Sequence, residues 1–172
     1  MSKIWVISDT HFNHANILKF TDEGGYPVRP GFKDVKDMNE VMIRNWNERI
    51  SEEDIVYHLG DVFFGNDEEA NMILTRLAGK KRLIIGNHDE IKSPVLNKHF
   101  KKMMLWRLFK DEDILLAHVP IHQSEIRKVK YNVHGHIHQN DAPTKDHINI
   151  CVEKTGYAPV LLTDIVRKYA KK

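Results

Sequence analysis

The amino-acid sequence predicts an α/β fold in which two packed β-sheets lie between outer helices. In the first half of the chain, apolar runs typical of buried strands alternate with segments of helical periodicity. The second half consists mostly of strand-like segments. At 172 residues the chain has the length of one domain and can bury about 70% of its unfolded surface. We therefore expect residues 1–172 to form a single domain.

The first half opens on the apolar run Lys3–Ser8, which predicts the first strand. Residues Asn13–Phe20 predict a short helix, and the segment Thr21–Gly31, rich in glycine and proline, predicts a loop. A longer helix is predicted over Val35–Ile50, where apolar residues recur at helical spacing behind Asp34, a residue type that caps helices. These segments begin the alternation of strand and helix.

The alternation continues with a strand at Asp54–Leu59, a helix at Asp67–Ala78 that Gly79 would end, and a strand at Lys81–Ile85. Beyond residue 100 the predicted elements are four strands and one helix: Lys102–Phe109, Asp113–Ala117, Tyr131–Val133, His147–Val152 and Thr163–Lys171. The change from alternating elements to strands favours two sheets over one.

Charge and cysteine content exclude several classes of protein. Lysine and arginine number 26 and acidic residues 24, and the net charge of +2 argues against a dedicated nucleic-acid-binding domain. The single Cys151 excludes a disulfide framework and a cysteine-rich zinc site, and its apolar context predicts an inert buried thiol. The sequence has no apolar run long enough for a membrane span and no signal-peptide pattern, so we expect a cytoplasmic protein without membrane contact.

The 11 histidines are the unusual count, because histidine is the commonest metal ligand. Several of them belong to polar segments that each follow directly on a predicted strand. These segments are Asp9-Thr10-His11, Gly60-Asp61, Gly86-Asn87-His88-Asp89, His118 with Pro120, and Gly135-His136-Ile137-His138. Ligands of open α/β sheets bind outside the carboxyl ends of the strands. Each segment is a weak signal alone, but the five together predict one site.

In this order the segments resemble the calcineurin-like metallophosphoesterase superfamily, whose pattern is D-x-H, G-D, G-N-H-[D/E], a single H and G-H-x-H. The resemblance covers residues 9–138, and the opening Ser8–His14 looks like a compact bacterial and bacteriophage subgroup. It implies a four-layer αββα sandwich with a dinuclear metal centre at one edge. The implied ligands are Asp9, His11, Asp61 and His138 for one metal, and Asp61, Asn87, His118 and His136 for the other, with Asp61 bridging.

The implied donor set of four imidazoles, two carboxylates and one amide oxygen suits Mn, Fe, Zn, Ni or Co better than Ca. We expect two divalent ions per chain, with Mn²⁺ first among these metals. The two carboxylates neutralise only half of the charge of two such ions, so the centre stays cationic and attracts a phosphoryl group. Two metals about 3.5–4 Å apart also acidify a bound water. We therefore expect hydrolysis by direct attack of a metal-bound hydroxide, without a covalent enzyme intermediate.

His88 is expected to lie outside the metals and face the substrate, as a general acid or a phosphate contact, and Asp89 could orient it. His14, Arg29 and His122 are candidate substrate contacts, and the alternative for Arg29 is a solvated loop arginine. Of the other histidines, we expect His58 and His134 to make hydrogen bonds that support the ligands, and His99 and His147 to be surface or edge residues.

The segment Gly60–Gly65 reads GDVFFG and lacks the arginine-bearing G-D-x-V-D-R-G run of the protein phosphatases, which argues against a phosphoprotein substrate. The short chain leaves little room for a lid. We therefore expect small phosphorylated substrates, such as nucleotides, cyclic nucleotides or nucleic-acid ends, as monoesters or diesters. The alternatives are a non-catalytic binding module with a structural metal site, and a nucleic-acid-binding regulator, which the net charge disfavours.

Overall fold

The structure is a computed structural model that describes residues 2–126 and 128–169. Two mixed β-sheets, one of five strands and one of four, are flanked by helices, and the predicted α/β fold class is confirmed. The single-domain organisation of residues 1–172 stays a prediction. Within the described residues, none of the helices has the length and apolar composition needed to cross a membrane.

The first sheet has the strand order β4-β3-β2-β1-β9. Its strands are parallel except for the last, which pairs antiparallel with β1. The strands are β1 (Ile4–Ile7), β2 (Ile55–His58), β3 (Lys80–Ile84), β4 (Met103–Met104) and β9 (Val160–Leu161).

The second sheet has the order β5-β6-β7-β8, in which β5 is antiparallel to β6 and the other pairs are parallel. Its strands are β5 (Trp106–Phe109), β6 (Ile114–Ala117), β7 (Tyr131–His134) and β8 (His147–Asn149). The carboxyl ends of parallel strands meet at one edge of each sheet, which is where the polar segments lie.

The helices are α1 (Val35–Asn47), α2 (Asp67–Thr75), α3 (Pro94–His99), α4 (Val152–Thr155) and α5 (Ile165–Tyr169). Asp34 caps α1 as predicted, since its Oδ1 accepts the Asp37 N–H at 2.9 Å. The predicted helix over Asn13–Phe20 is a 3-10 helix, Ala15–Lys19. Residues 170–172, the end of the last predicted helix, lie outside the described residues.

Side-chain alternation along the strands of the first sheet builds two cores. Ile7 and Leu83 point toward α1, α2 and α3, whereas their neighbours Val6 and Ile84 point toward the second sheet. All four side chains are fully buried. Because β1 is covered on both faces, it is a continuous apolar run, whereas β3 is apolar only at its carboxyl end, Leu83-Ile84.

Three parts of the sequence-based prediction are wrong. The single strand predicted over Lys102–Phe109 is broken at Leu105 into β4 and β5, which belong to different sheets. The strand predicted over His147–Val152 ends at Asn149, and α4 begins at Val152. The short elements α3, α4 and β9 were not expected.

Candidate dinuclear metal centre

The five polar segments follow the carboxyl ends of strands from both sheets. Asp9 lies beyond β1, Asp61 beyond β2 and Asn87 beyond β3, all in the first sheet. His118 lies beyond β6, and the segment with His136 and His138 lies beyond β7, both in the second sheet. The two sheets therefore contribute facing halves of one site.

Two groups of three side chains are close enough to hold a metal ion each. In one, ligand atoms of Asp9, His11 and His138 all lie within 4.8 Å of one another. In the other, the same holds for Asp61, His118 and His136. We call these the first and the second triad.

Asp61 belongs to the second triad and also lies close to the first. Its Oδ2 is 3.6 Å from Nε2 of His11 in the first triad. Its Oδ1 is 3.6 Å from Nε2 of His118 in the second. One carboxylate thus offers one oxygen to each triad, which is the position of a bridging ligand.

Asn87 is a fourth side chain beside the second triad. Its Oδ1 lies 2.9 Å from Nε2 of His118 and 2.9 Å from Nδ1 of His136. The amide oxygen therefore points at the same space as the two imidazoles. His118 is itself held from behind, because its Nδ1 lies 2.6 Å from the carbonyl oxygen of Leu59.

Unpartnered polar atoms in the first triad test whether a cation fits. Asp9 Oδ1 and both ring nitrogens of His11 are buried and have no hydrogen-bond partner among the described residues. Leaving such atoms without a partner costs about 1–3 kcal/mol each. A divalent cation bound by oxygen and imidazole nitrogen would satisfy them, so the residues present fit a metal centre.

The backbone at the site is held in an uncommon conformation. Five of the candidate ligands have left-handed backbone angles, namely Asp9 (φ 56°), His11 (φ 47°), Asp61 (φ 57°), His136 (φ 70°) and His138 (φ 49°). Such angles are rare outside glycine and cluster at functional sites. Their concentration in the two triads indicates that the turns aim side chains rather than merely connect elements.

Two glycines allow the turns to approach one another. A Cβ on Gly135 would lie 1.9 Å from Ser8 Oγ and 2.0 Å from Asp9 Oδ2. Gly60 has φ +96°, and a Cβ there would lie 2.6 Å from the Gly86 backbone. Any larger residue at either position would displace the ligands beside it.

Charge states in the first triad favour metal binding. Burial alone would raise the pKa of Asp9, but the neighbouring His11, His118 and Ser8 hold it far below its usual range. Burial lowers the pKa of His11, although Asp9 opposes this. Asp9 is therefore an anion and His11 neutral at neutral pH, which are the forms that bind metals. Burial also lowers the pKa of His136.

Comparison with known proteins identifies the family. The model of the calcineurin-like phosphoesterase family matches residues 2–113 of the chain. The chain belongs to this family. The matched part contains Asp9, His11, Asp61 and Asn87, whereas the candidate ligands after β6 and β7 are identified by the geometry described above.

Relatives of this chain occur in archaea, bacteria and bacteriophages. It is 36% identical to the uncharacterized protein MJ1445 of Methanocaldococcus jannaschii, over 99% of this chain and 93% of that protein. It is 25% identical to the gene 66 protein of Mycobacterium phage L5, over 80% of this chain and 78% of that protein. The crystal structure of AQ665, a protein of unknown function from Aquifex aeolicus, superposes with a TM-score of 0.77 at 30% identity, covering 97% and 99% of the two chains.

His88 is exposed, as is its neighbour Asn87 in the Gly86-Asn87-His88-Asp89 segment. Its backbone N–H donates to Asp61 Oδ1 at 2.9 Å. Its ring centroid is 5.8 Å from that of His11 and 5.0 Å from that of Phe64. The imidazole therefore lies beside the first triad without belonging to it.

Asp89 does something different from what the sequence predicts. Its carboxylate accepts backbone N–H groups of Gly86, Asp61 and Val62 at 2.8, 2.9 and 3.0 Å. Both carboxylate oxygens therefore bind backbone groups and do not orient the His88 ring as expected. Asp89 instead joins the turn after β2 to the turn after β3, and so positions Asp61 and Asn87.

Arg29 is not a solvent-facing substrate contact, which corrects the sequence-based expectation. It is buried, and its guanidinium donates to Glu153 Oε1 at 2.8 Å and to the carbonyl oxygens of Asp9 and Thr10. A guanidinium whose donors are used in this way holds the D-x-H turn in place.

Glu153, on α4, is the functional residue that sequence reasoning missed. Its Oε1 lies 3.0 Å from Nδ1 of His138. Burial alone would lower the pKa of His138, but Glu153 raises it. A carboxylate behind a ligating histidine fixes the orientation of the ring, so Glu153 supports the first triad from behind. The sequence gives no indication of this role, because Glu153 does not belong to any of the five polar segments.

The remaining predicted contacts divide into near and distant residues. The His14 ring stacks on Phe64 with centroids 4.0 Å apart, and it lies 5.6 Å from His11, beside the first triad. His122 lies outside both triads, where its Nδ1 is 2.9 Å from Ser124 Oγ in an exposed loop. The role of both in substrate binding stays a prediction.

Three other histidines are buried. His58 Nε2 lies 2.9 Å from Thr10 Oγ1, so it supports the D-x-H turn, and burial lowers its pKa to about 3. His134 is buried beneath the G-H-x-H turn. His147, expected at the surface or an edge, lies on the edge strand β8 but is buried, with Nε2 2.7 Å from the Ile121 carbonyl oxygen.

Cys151 is buried, as expected, and its Sγ lies 3.3 Å from Asp9 Oδ2. Burial and the nearby acidic groups raise the pKa of this thiol well above its usual value. It is therefore an unreactive thiol that donates to a candidate ligand.

Proposed function

We propose that this chain is a phosphoesterase that hydrolyses phosphomonoesters or phosphodiesters with two divalent cations, Mn²⁺ foremost. One observation carries the proposal. The Asp61 carboxylate belongs to the second triad, where its Oδ1 lies near His118, and its Oδ2 also reaches His11 of the first triad. A ligand shared in this way suits a pair of cations rather than two independent sites.

The side chains that would hold the two cations are those of the two triads together with Asn87. Asp9, His11 and His138 would hold one cation, and His118, His136 and Asn87 the other, with Asp61 shared. When bound, such a pair supplies Lewis acidity that polarises a phosphoryl group and acidifies water. Fe, Zn, Ni and Co suit the same mixed donor set.

His88 acts from outside the ligand set in this proposal. Its exposed imidazole lies beside the first triad, where a substrate phosphoryl group would lie. It donates a proton to the leaving oxygen or a hydrogen bond to a phosphoryl oxygen. Asp89, Arg29 and Glu153 fix the turns and rings around it.

The test is a screen of metals against two artificial substrates. Bis-p-nitrophenyl phosphate and p-nitrophenyl phosphate are offered with Mn²⁺, Fe²⁺, Zn²⁺, Ni²⁺ or Co²⁺ after chelation of the purified protein. We expect turnover that depends on the metal, and the ratio of the two rates gives the preference for diester or monoester.

Asp61→Asn is the test variant, and Asp67→Asn, an exposed acid at the start of α2, is its matched control. Asp61→Asn should lose both metal content and turnover, whereas Asp67→Asn should keep both. Metal binding by the wild type without turnover of either substrate would favour a non-catalytic binding module instead.

A further inference from the structure

A cavity of about 720 Å³ lies between the edges of the two sheets, next to the candidate metal centre. We call it the edge cavity. Its walls come from the end of β3, the junction of β4 and β5, strand β6 and the loop after His118. The volume is within the range of small-molecule sites. The apolar side chains on its walls include Ile85, Leu105, Trp106, Leu108, Leu115 and Ile121.

The edge cavity is continuous with the second triad. Asn87 and His118, which we propose as ligands of one cation, both line it. A phosphoryl group held at that cation therefore lies at the inner end of the cavity. Whatever organic group the phosphorus carries has an adjoining space to fill.

The walls of the cavity favour an apolar occupant. Leu105 is 69% exposed, Trp106 57% and Val119 41%, and these three large apolar side chains line the same cavity. Contiguous exposed apolar surface of this kind marks a binding site. Among the described wall residues, those with charged side chains are Glu125 and Lys128, one of each sign. A nucleobase would bring hydrogen-bonding edges to walls dominated by hydrocarbon, whereas an alkyl or aryl group would not.

We propose that the edge cavity binds an apolar alkyl or aryl ester group of the substrate whose phosphoryl group lies at the metal centre. The inference rests on the proposed function, since the metal centre positions the phosphoryl end. It narrows the proposed phosphoester substrates to those of apolar alcohols, in place of the nucleotides that the sequence analysis expects.

Alkylphosphonates and arylphosphonates test this without turnover, because their carbon–phosphorus bond is not hydrolysed. Methylphosphonate, octylphosphonate, phenylphosphonate and the non-hydrolysable 5′-methylenephosphonate analogue of adenosine 5′-monophosphate are titrated into the Mn²⁺-loaded protein by calorimetry. Each buried methylene contributes a factor of about four in affinity, so octylphosphonate should bind at least about tenfold tighter than methylphosphonate even with partial burial. Phenylphosphonate should also bind tighter than methylphosphonate. Equal affinities, or tightest binding of the nucleotide, would overturn the proposal.

A matched pair of variants locates the effect. Leu105→Gln removes an exposed apolar side chain from the wall, and Met72→Gln removes one that is 59% exposed on α2, away from the cavity. Leu105→Gln should lower the ratio of octylphosphonate to methylphosphonate affinity at least about fivefold. Met72→Gln should leave that ratio unchanged. Equal responses of the two variants would contradict the assignment.

Two further measurements separate this inference from the proposed function. The apolar dye 1-anilinonaphthalene-8-sulfonate is titrated into metal-free protein, where we expect fluorescence enhancement that Leu105→Gln weakens and Met72→Gln does not. If the dye responds in this way but no metal gives turnover, the proposed function fails and the apolar cavity stands. If bis-p-nitrophenyl phosphate is hydrolysed but the dye and phosphonate series show no chain-length effect, the cavity assignment fails alone. A wild-type dimer that Leu105→Gln dissociates in sedimentation velocity would also overturn it, because the cavity would then belong to an interface between copies.

Discussion

Asp61 joins histidines that come from different sheets, since His11 follows β1 and His118 follows β6. A left-handed residue outside glycine costs about 1–3 kcal/mol and persists only where its surroundings determine it. For Asp61 these surroundings are two hydrogen bonds. The Asp89 carboxylate accepts the backbone N–H of Asp61, and the Asp61 carboxylate accepts that of His88. These backbone contacts hold the Asp61 carboxylate between His11 and His118.

Replacing His88 separates proton transfer from metal binding. His88→Ala should lower kcat with bis-p-nitrophenyl phosphate by about 10²–10⁴-fold, the contribution of a general acid, while the metal content stays that of the wild type. The backbone N–H that Asp61 accepts is retained in the variant, so the ligand geometry should survive. Steady-state kinetics and atomic emission spectroscopy on the same preparation check both expectations. A variant with unchanged kcat would remove His88 from the mechanism.

At the scale of single residues, the sequence predicts those that form short motifs at strand ends and misses those that support them. Asp9 and His136 are each part of a polar segment that follows an apolar run, and this combination can be recognised in the sequence alone. Glu153 and Arg29 meet only in the fold, 124 positions apart, and neither has a local pattern. Arg29 resembles any loop arginine until the carbonyl oxygens that it contacts are known.

At the scale of elements, Asp54 ties the start of β2 to the start of β1. Its carboxylate accepts the backbone N–H of Lys3 at 2.7 Å and that of Ser51 at 3.1 Å. It also accepts the indole N–H of Trp5 at 3.1 Å. Burial alone would raise the pKa of Asp54, but these donors outweigh it and lower the pKa from 3.8 to about 2.

This contact predicts a pH-dependent contribution to stability. Because the pKa of Asp54 is lower in the folded state, its contribution is present above about pH 4 and is lost as the pH falls toward 2. Asp54→Asn should lower the free energy of unfolding by about 1–2 kcal/mol at pH 7, and the difference from wild type should disappear near pH 2. Urea unfolding of metal-free protein at both pH values checks this. A difference that is constant with pH would show that the carboxylate charge does not matter.

Element boundaries show what limits prediction from this sequence. The strands β1 and β2 and the helix α1 are identified because each presents several apolar residues, and β3 is identified by the apolar residues at its carboxyl end. The strands β4 and β9 have two residues each and therefore show no period. The break at Leu105 depends on tertiary structure, because the residues before it pair with β3 of the first sheet and those after it pair with β6 of the second.

At the scale of the whole molecule, the net charge of +2 understates the attraction for anions. The first triad places the anion of Asp9 beside a neutral His11, so the metal-free site carries little positive charge of its own. Cations held there would be the largest local charges in the site. Phosphate affinity should therefore depend on loading rather than on the composition of the chain.

Metal loading should also stabilise the fold, because both sheets contribute ligands and the unfolded chain cannot arrange them together. With Mn²⁺ at about 100 times its dissociation constant, one site adds about 2.7 kcal/mol to the free energy of unfolding. For a chain of this size, we expect the Tm to rise by about 5–10 °C over the chelated protein. Asp61→Asn should abolish most of this rise, and Asp67→Asn should preserve it; scanning calorimetry with and without Mn²⁺ measures both. An equal rise in the two variants would mean that the ion stabilises the protein from somewhere other than the two triads.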